Sequence, residues 1–379
     1  MAGIYIHIPF CKKKCNYCNF FSVTSLKNKP EFIDALLKEI EIQKNYLNKE
    51  IIKTIYFGGG TPSLLSQDEI NKIIDKLYKY HTIDKDAEIT LEANPDDLTK
   101  NKIKKLKNTP VNRLSIGVQS FFDYDLTFLG RIHNAKQSYN AIKYSQDAGF
   151  DNLNIDLIYS IPNLSNKNWK ENLNISFSLQ IPHISAYNLT IEEKTLLYIL
   201  IKKSKIRPVS EQQSIEQYKI LLKLMKKNNY IHYEISNFCK KDHFSKHNTN
   251  YWLHKKYLGL GPCAHSFNII SRQWNIANIS KYMQSIQNKT ITFEKEILSL
   301  NQQYNEYILT LLRTMWGCDI DFIKNTYGKK YYNNFLKESL QYIKNNPPQV
   351  NRIKNTFFLT QNGKLFADKI ASDLFVIDN

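Results

Sequence analysis

Short apolar runs alternate with longer stretches of helical period through the first 230 residues of the chain. The runs Ile4–Ile8, Ile51–Phe57, Glu88–Ala93, Arg113–Val118, Leu153–Ile158 and Ile184–Leu189 are short, apolar and rich in β-forming residues, and they predict strands. Between them, Glu31–Tyr46, Gln67–Tyr80, Ala135–Ala148, Lys167–Leu179 and Glu211–Lys227 carry apolar residues at helical spacing. Six strand–helix units in succession predict a parallel sheet with right-handed crossovers. The fold class is α/β: a partial (β/α)6 barrel, open along one side, with functional groups gathered at the carboxyl ends of its strands. The rhythm weakens over Tyr230–Trp274, which is rich in His, Asn, Tyr and Gly. It turns helical from about Phe293, through Gln302–Met315 and Ile320–Asn325, and breaks at Asn345-Asn346-Pro347-Pro348. Thr356–Leu359 followed by Thr360–Leu374 reads as a strand and an amphipathic helix. The expected organisation is a barrel core over 1–230, a His/Tyr/Gly-rich extension over 231–290 and a small, mostly helical, winged C-terminal domain over 291–379.

A chain of 379 residues is long enough for one large and one smaller core. Hydrophobic residues at 42% and charged residues at 23% fit a globular protein in water. No stretch approaches the about 18 apolar residues of a membrane span, and the opening MAGIYIHIPFCKKKC has no apolar signal core. The expected location is the cytoplasm. The formal charge of +17 is spread through the chain beside many Asn and Ile residues. That reads as compositional drift, and no nucleic-acid partner is expected, although a basic surface attracts anionic lipids and carboxylate-bearing ligands.

Of six cysteines, Cys11, Cys15 and Cys18 lie within eight residues, while Cys239, Cys263 and Cys318 are scattered. A tight cluster in a reducing compartment means metal or redox chemistry; the distant three are expected to be ordinary small buried residues. Cys11-Lys-Lys-Lys-Cys15-Asn-Tyr-Cys18 follows the first strand directly. Its spacing lets one loop wrap a cubane, with a thiolate on each of three irons and the fourth iron open to a chelating ligand. Zinc closed by a fourth ligand such as His7 is the alternative.

The glycines Gly58-Gly59-Gly60, followed by Thr61, come after the second strand at the same barrel mouth. Many glycine runs are plain turns, but here the exposed backbone can bind an amino-acid head group. Glu92 and Gln119 end the third and fourth strands, and Asp156 lies inside an apolar fifth. Each could be a satisfied core residue. Together on successive strands they suit a ribose, an adenine edge and an ammonium group respectively, and Arg131 suits a carboxylate.

These residues resemble the radical S-adenosylmethionine (SAM) superfamily and, within it, the oxygen-independent coproporphyrinogen oxidase-like group. The resemblance spans nearly the whole chain and is carried by Tyr5-Ile-His-Ile-Pro-Phe-Cys11, the cysteine triplet, Gly58–Pro62, Glu92, Gly117-Val-Gln119, Leu129-Gly-Arg131 and Asn154–Tyr159. It implies a [4Fe–4S] cluster on Cys11, Cys15 and Cys18 whose open iron is chelated by SAM, with cleavage to a 5′-deoxyadenosyl radical. It also implies that Tyr5, Tyr17, Gly60, Thr61, Glu92, Gln119, Arg131 and Asp156 hold SAM.

The true coproporphyrinogen dehydrogenases carry a further cysteine two residues after the third, and an N-terminal extension. Phe20 stands at that position, and ten residues precede Cys11. The chain is closer to the heme chaperone branch, through Tyr233–Phe238 and His247-Asn-Thr-Asn-Tyr251-Trp252. That likeness implies heme as a third ligand, delivered to acceptor proteins such as respiratory ones, some at the inner membrane surface, and allows a homodimer. His247 alone reads as an ordinary packed histidine; in this context imidazole can ligate heme iron and Tyr251 and Trp252 can stack on a porphyrin. Oxidative decarboxylation of coproporphyrinogen III is the alternative activity, so whether the chain is an enzyme stays open.

Overall fold

The computed structural model describes residues 1–377. Strands β1 (Ala2–Ile8), β2 (Ile52–Gly59), β3 (Ile83–Ala93), β4 (Arg113–Gln119), β5 (Leu153–Tyr159) and β6 (His183–Asn188) stand side by side in chain order, each parallel to the next. The chain returns between them through α1 (Lys29–Ile42), α2 (Gln67–Tyr80), α3 (Lys100–Leu106), α4 (Asp123–Leu129), α5 (Ala135–Asp147) and α6 (Asn166–Ser178). After β6 come α7 (Leu196–Lys202) and α8 (Glu211–Lys227). Local signals set the helix ends. Ser66 with Glu69 and Asn134 with Gln137 form reciprocal capping boxes at α2 and α5. Gly130, at φ +75°, closes α4. Helices α3, α4 and α7 escape the periodicity reading because seven residues hold too few apolar positions to show a period.

The weakly periodic extension supplies further strands. β7 (Ile231–His232) and β8 (Asn237–Cys239) are followed by α9 (Lys246–Trp252), β9 (Lys256–Leu260), β10 (His265–Phe267), β11 (Ser271–Asn275), α10 (Ile279–Gln287) and β12 (Phe293–Ile297). β9 pairs in parallel with β1, and β8 pairs antiparallel with β6. The result is one twelve-stranded sheet in the order β12-β11-β10-β9-β1-β2-β3-β4-β5-β6-β8-β7. The half-barrel stays open, but its edges are not β1 and β6. Pairing there satisfies backbone groups that a bare edge would leave exposed.

Even-numbered residues of β1, Ile4, Ile6 and Ile8, are fully buried in the main apolar core. By strand alternation Gly3, Tyr5 and His7 face the barrel interior. That interior is polar: Thr54, Glu88, Arg113, Asn154 and His183 are all buried and lie on neighbouring strands. Asn154 Nδ2 donates to Ser115 Oγ at 2.7 Å, and His183 Nε2 meets the Tyr233 hydroxyl at 2.7 Å.

A second apolar core, including Tyr304, Ile308, Phe335, Phe357 and Ile370, lies in the C-terminal segment. It is built from α11 (Leu300–Leu311), β13 (Cys318–Asp319), α12 (Ile320–Tyr327), α13 (Lys329–Lys344), β14 (Val350–Ile353), β15 (Thr356–Leu359) and α14 (Ala367–Asp373), the strands forming a small antiparallel sheet. The expected helix over Thr360–Leu374 divides into a 3-10 turn at Gly363–Phe366 and α14. Gly363 packs so closely that a Cβ would lie 1.9 Å from the Gln349 carbonyl.

Candidate functional site

The three clustered cysteines occupy the loop that leaves the carboxyl end of β1. The loop is closed at its base by a bridge between Phe10 and Val23, with Cys11 N–H donating to the Val23 carbonyl at 2.9 Å. Asn16 ties its middle to the end of α4: its backbone N–H donates to Leu129 at 3.0 Å and its Nδ2 to Phe128 at 2.8 Å. Gly130 makes that approach possible, because a Cβ there would lie 2.7 Å from Asn16 Oδ1. Lys12 reaches Asp96 at 2.8 Å and also pairs with Asp97, both beyond the end of β3.

Polar groups approach the sulfurs directly. Thr61 Oγ1 lies 3.4 Å from Cys11 Sγ, and Arg131 Nη1 lies 3.4 Å from Cys15 Sγ. All three thiols are free and half-exposed. Among the described residues no group of three or more His, Cys, Asp or Glu side chains is placed to hold a single metal ion. His7, the candidate fourth zinc ligand, is committed elsewhere, with Nε2 2.9 Å from the Phe21 carbonyl and Nδ1 3.2 Å from the Tyr5 hydroxyl. Three thiolates with no fourth ligand fit a cubane with one open iron better than a closed zinc site.

Gly59, the last residue of β2, and Gly60 just after it are there because nothing larger fits. Gly59 holds φ +106°, and a Cβ on it would lie 2.6 Å from the His7 ring; one on Gly60 would lie 2.7 Å from the Phe10 carbonyl. Thr61 is fixed by Asn94 Nδ2 at 3.2 Å. Arg131 Nη2 donates to Asn94 Oδ1 at 2.6 Å and to the Gly117 carbonyl at 3.0 Å. Burial opposes its charge and the neighbouring Tyr17 and Cys15 favour it, so its pKa is raised and not lowered.

In the otherwise buried strands β1 and β5, the one half-accessible position is Tyr5 and Asp156 respectively. Glu92 is likewise half-accessible between buried neighbours. Burial raises the Glu92 carboxyl to about 7, against the hydrogen bond from the Tyr56 hydroxyl at 2.7 Å, with Asp156 raising it further. Asp156 is also raised by burial and partly relieved by Asn154 at 2.9 Å. Gln119 takes a left-handed φ of 66°, a conformation costly for a residue with a side chain. The structure thus brings Tyr17, Thr61 and Arg131 together with the thiols, Gln119 beside Arg131 at Gly117, and Tyr5, Glu92 and Asp156 to the same interior. Asn16, Tyr56 and Asn94 belong to this constellation and escaped the sequence reading. Asn16 lies inside the cysteine motif itself, the one local signal available.

The segment 247–252 is divided between two places. His247 is 1% exposed, packed against the interior face of β1 and β2. Its Nδ1 lies 2.8 Å from Thr54 Oγ1, its Nε2 lies 2.8 Å from the Tyr251 hydroxyl, and its ring stacks on Tyr56 at 5.0 Å. Burial lowers its pKa to about 3, so the ring is neutral. Tyr251 extends from it to the wall of a cavity of about 630 Å³ that also reaches Tyr5, Phe20 and Phe21. Trp252 does not line that cavity; its ring faces the Arg313 guanidinium at 6.0 Å. The three expected heme residues therefore do not form one surface. Cys263 also departs from expectation: Cys239 and Cys318 are buried, but Cys263 is half-exposed and lines this cavity.

The model of the radical SAM superfamily matches residues 5–174, the span holding the thiols and every polar residue of the barrel mouth just described. The solved coproporphyrinogen III oxidase (HemN) of Escherichia coli has the same fold, with a TM-score of 0.84 over 99% of this chain and 90% of that one, at 20% identity. Fold and mouth together define a radical SAM protein, a class whose cofactors are a [4Fe–4S] cluster and SAM. The heme chaperone HemW of Bacillus subtilis is 32% identical over 377 residues, 98% of each chain. HemW of Buchnera aphidicola subsp. Acyrthosiphon pisum is 38% identical over 265 residues, 69% of each. This chain belongs to the HemW family. No helix among the described residues is long and apolar enough to cross a membrane.

Proposed function

We propose that the protein is a heme chaperone: it binds heme and passes it to acceptor proteins from a core that holds a [4Fe–4S] cluster and SAM. The observation that carries this reading is the match to HemW of Bacillus subtilis across 98% of both chains. Phe20 supports it, standing where a further cysteine marks the coproporphyrinogen dehydrogenases, as does the aromatic cavity beside that residue.

In this reading Cys11, Cys15 and Cys18 ligate the cluster. Gly60, Thr61 and Arg131 receive the amino-acid end of SAM, while Tyr5, Tyr17, Glu92, Gln119 and Asp156 receive the rest. Bound cluster supplies the electron that cleaves SAM. Arg131 offers a rigid charged fork to a carboxylate, and the raised pKa of Glu92 leaves it able to donate as well as accept near neutral pH.

The test is one anaerobic preparation, reconstituted with iron and sulfide, titrated with heme and then supplied with SAM, reductant and coproporphyrinogen III. Equimolar heme binding without porphyrinogen turnover is the expected result. Catalytic formation of protoporphyrinogen would replace this reading with an oxidase, and absence of heme binding would remove it.

A further inference from the structure

The cavity beside the cluster loop holds the site residues that the heme reading lacks. It is walled by aromatic rings, including Tyr251, Tyr257 and Phe267, and opens between the extension and α11, which contributes Glu306, Leu309 and Thr310. A volume of about 630 Å³ lies within the range of cofactor pockets. Its iron-binding groups are unequal. His7 has both ring nitrogens engaged. His254 Nε2 lies 2.6 Å from Thr310 Oγ1. His247 is outside the lining and fully engaged.

His265 differs from all of these. It is exposed on β10, makes no side-chain hydrogen bond among the described residues, and is oriented by its ring stacked on Trp274 at 5.8 Å. Two residues away stands the half-exposed Cys263, held at a left-handed φ of 63°. Arg272 supplies the cavity with a cation, paired with Glu306 at 2.8 Å.

We propose that heme binds in this cavity with His265 as the protein ligand to iron and Arg272 as the partner of a propionate. The proposal rests on the heme reading above and deepens it. An aromatic wall receives the porphyrin faces, a neutral imidazole with free nitrogens can ligate iron, and a guanidinium fork matches a carboxylate. Phe20, 66% exposed, lies at the lip on the side of the cysteine loop. A single exposed ligand in an open cleft also suits cargo that must leave again. His247 is then a positioning residue, holding Tyr251 in the wall.

Heme is titrated into anaerobically reconstituted wild-type protein and into His265→Ala, His247→Gln, Cys263→Ser and Arg272→Gln, followed by Soret absorbance and EPR, with iron and sulfide content as the check on folding. His265→Ala should weaken binding at least tenfold and change the ligand-field spectrum, and added imidazole should restore the wild-type spectrum. Arg272→Gln should weaken binding severalfold without changing the spectrum. His247→Gln, which can keep the bonds to Thr54 and Tyr251, and Cys263→Ser should keep the wild-type spectrum. An unchanged spectrum in His265→Ala, or loss of the wild-type spectrum in Cys263→Ser or His247→Gln instead, would overturn the assignment while heme binding itself stands. Wild-type protein that binds no heme would fail the underlying reading and this proposal with it.

Discussion

The carboxylate of Glu88 on β3 accepts the backbone N–H of His247 at 3.1 Å, capping the first turn of α9 from inside the barrel. The second oxygen accepts Lys246 N–H at 3.2 Å and lies 3.9 Å from Arg113 Nε, both side chains being 2% exposed. A residue early in the chain thereby fixes a segment some 160 residues later, and that segment closes the barrel interior beneath Tyr56. Glu88→Ala removes the acceptor and the nearest counter-charge of a buried guanidinium, which costs about 3 kcal/mol. Urea unfolding should show a correspondingly lower midpoint, and an unchanged midpoint would contradict the assigned role.

Glu39 on α1 binds three groups of the extension: it accepts from Asn275 Nδ2 at 2.6 Å, Tyr282 hydroxyl at 2.7 Å and Gly261 N–H at 2.7 Å. Burial raises its carboxyl from 4.5 to about 7, the three hydrogen bonds opposing. The folded state therefore holds this proton more tightly than the unfolded state. The associated stability is fully present below pH 4.5 and is lost as the pH rises through 7, a change of about 3 kcal/mol. Measured against Glu39→Gln, which does not titrate, the wild-type unfolding free energy should fall by that order between pH 4.5 and 8. A flat difference would show that the carboxylate is already charged in the fold.

At Gly60 the constraint is steric. A Cβ would meet the Phe10 carbonyl at 2.7 Å and the Ile8 carbonyl at 2.8 Å, both backbone atoms that cannot swing aside. Gly60→Ala should push the start of the cysteine loop off its seat, at a cost of about 1–3 kcal/mol. Reconstituted protein is expected to carry less than half the wild-type iron and sulfide, read by colorimetric assay.

Arg131 spans from Cys15 to Asn94 and the Gly117 carbonyl with one planar group. Lysine keeps the charge but not the fork. Arg131→Lys should retain the cluster absorbance and bind SAM about tenfold more weakly in equilibrium dialysis, an estimate from the loss of one charge-assisted hydrogen bond of about 1.5 kcal/mol. Full SAM affinity in this variant would exclude the guanidinium from the site.

The alternation of strand and helix, the boundaries of α2 and α8 and the thiol triplet were all legible along the chain. Each depends on neighbours: helical or strand period, a capping residue, a loop of eight residues. The polar residues Glu92, Gln119 and Asp156 stood out for a related reason, since a polar group in an apolar strand is expensive unless it finds a polar partner.

What only the tertiary structure decided is which distant segments meet. Local period marks a face to be buried but carries no information about its partner. The pairing of β9 with β1, the return of α9 under Tyr56 and the placing of Cys263 and His265 beside Tyr5 therefore had no signature in the sequence. The same physics separates His247 from Trp252. Five residues apart on a short helix, they point into different environments: His247 is buried with both ring nitrogens engaged, while the Trp252 ring faces Arg313.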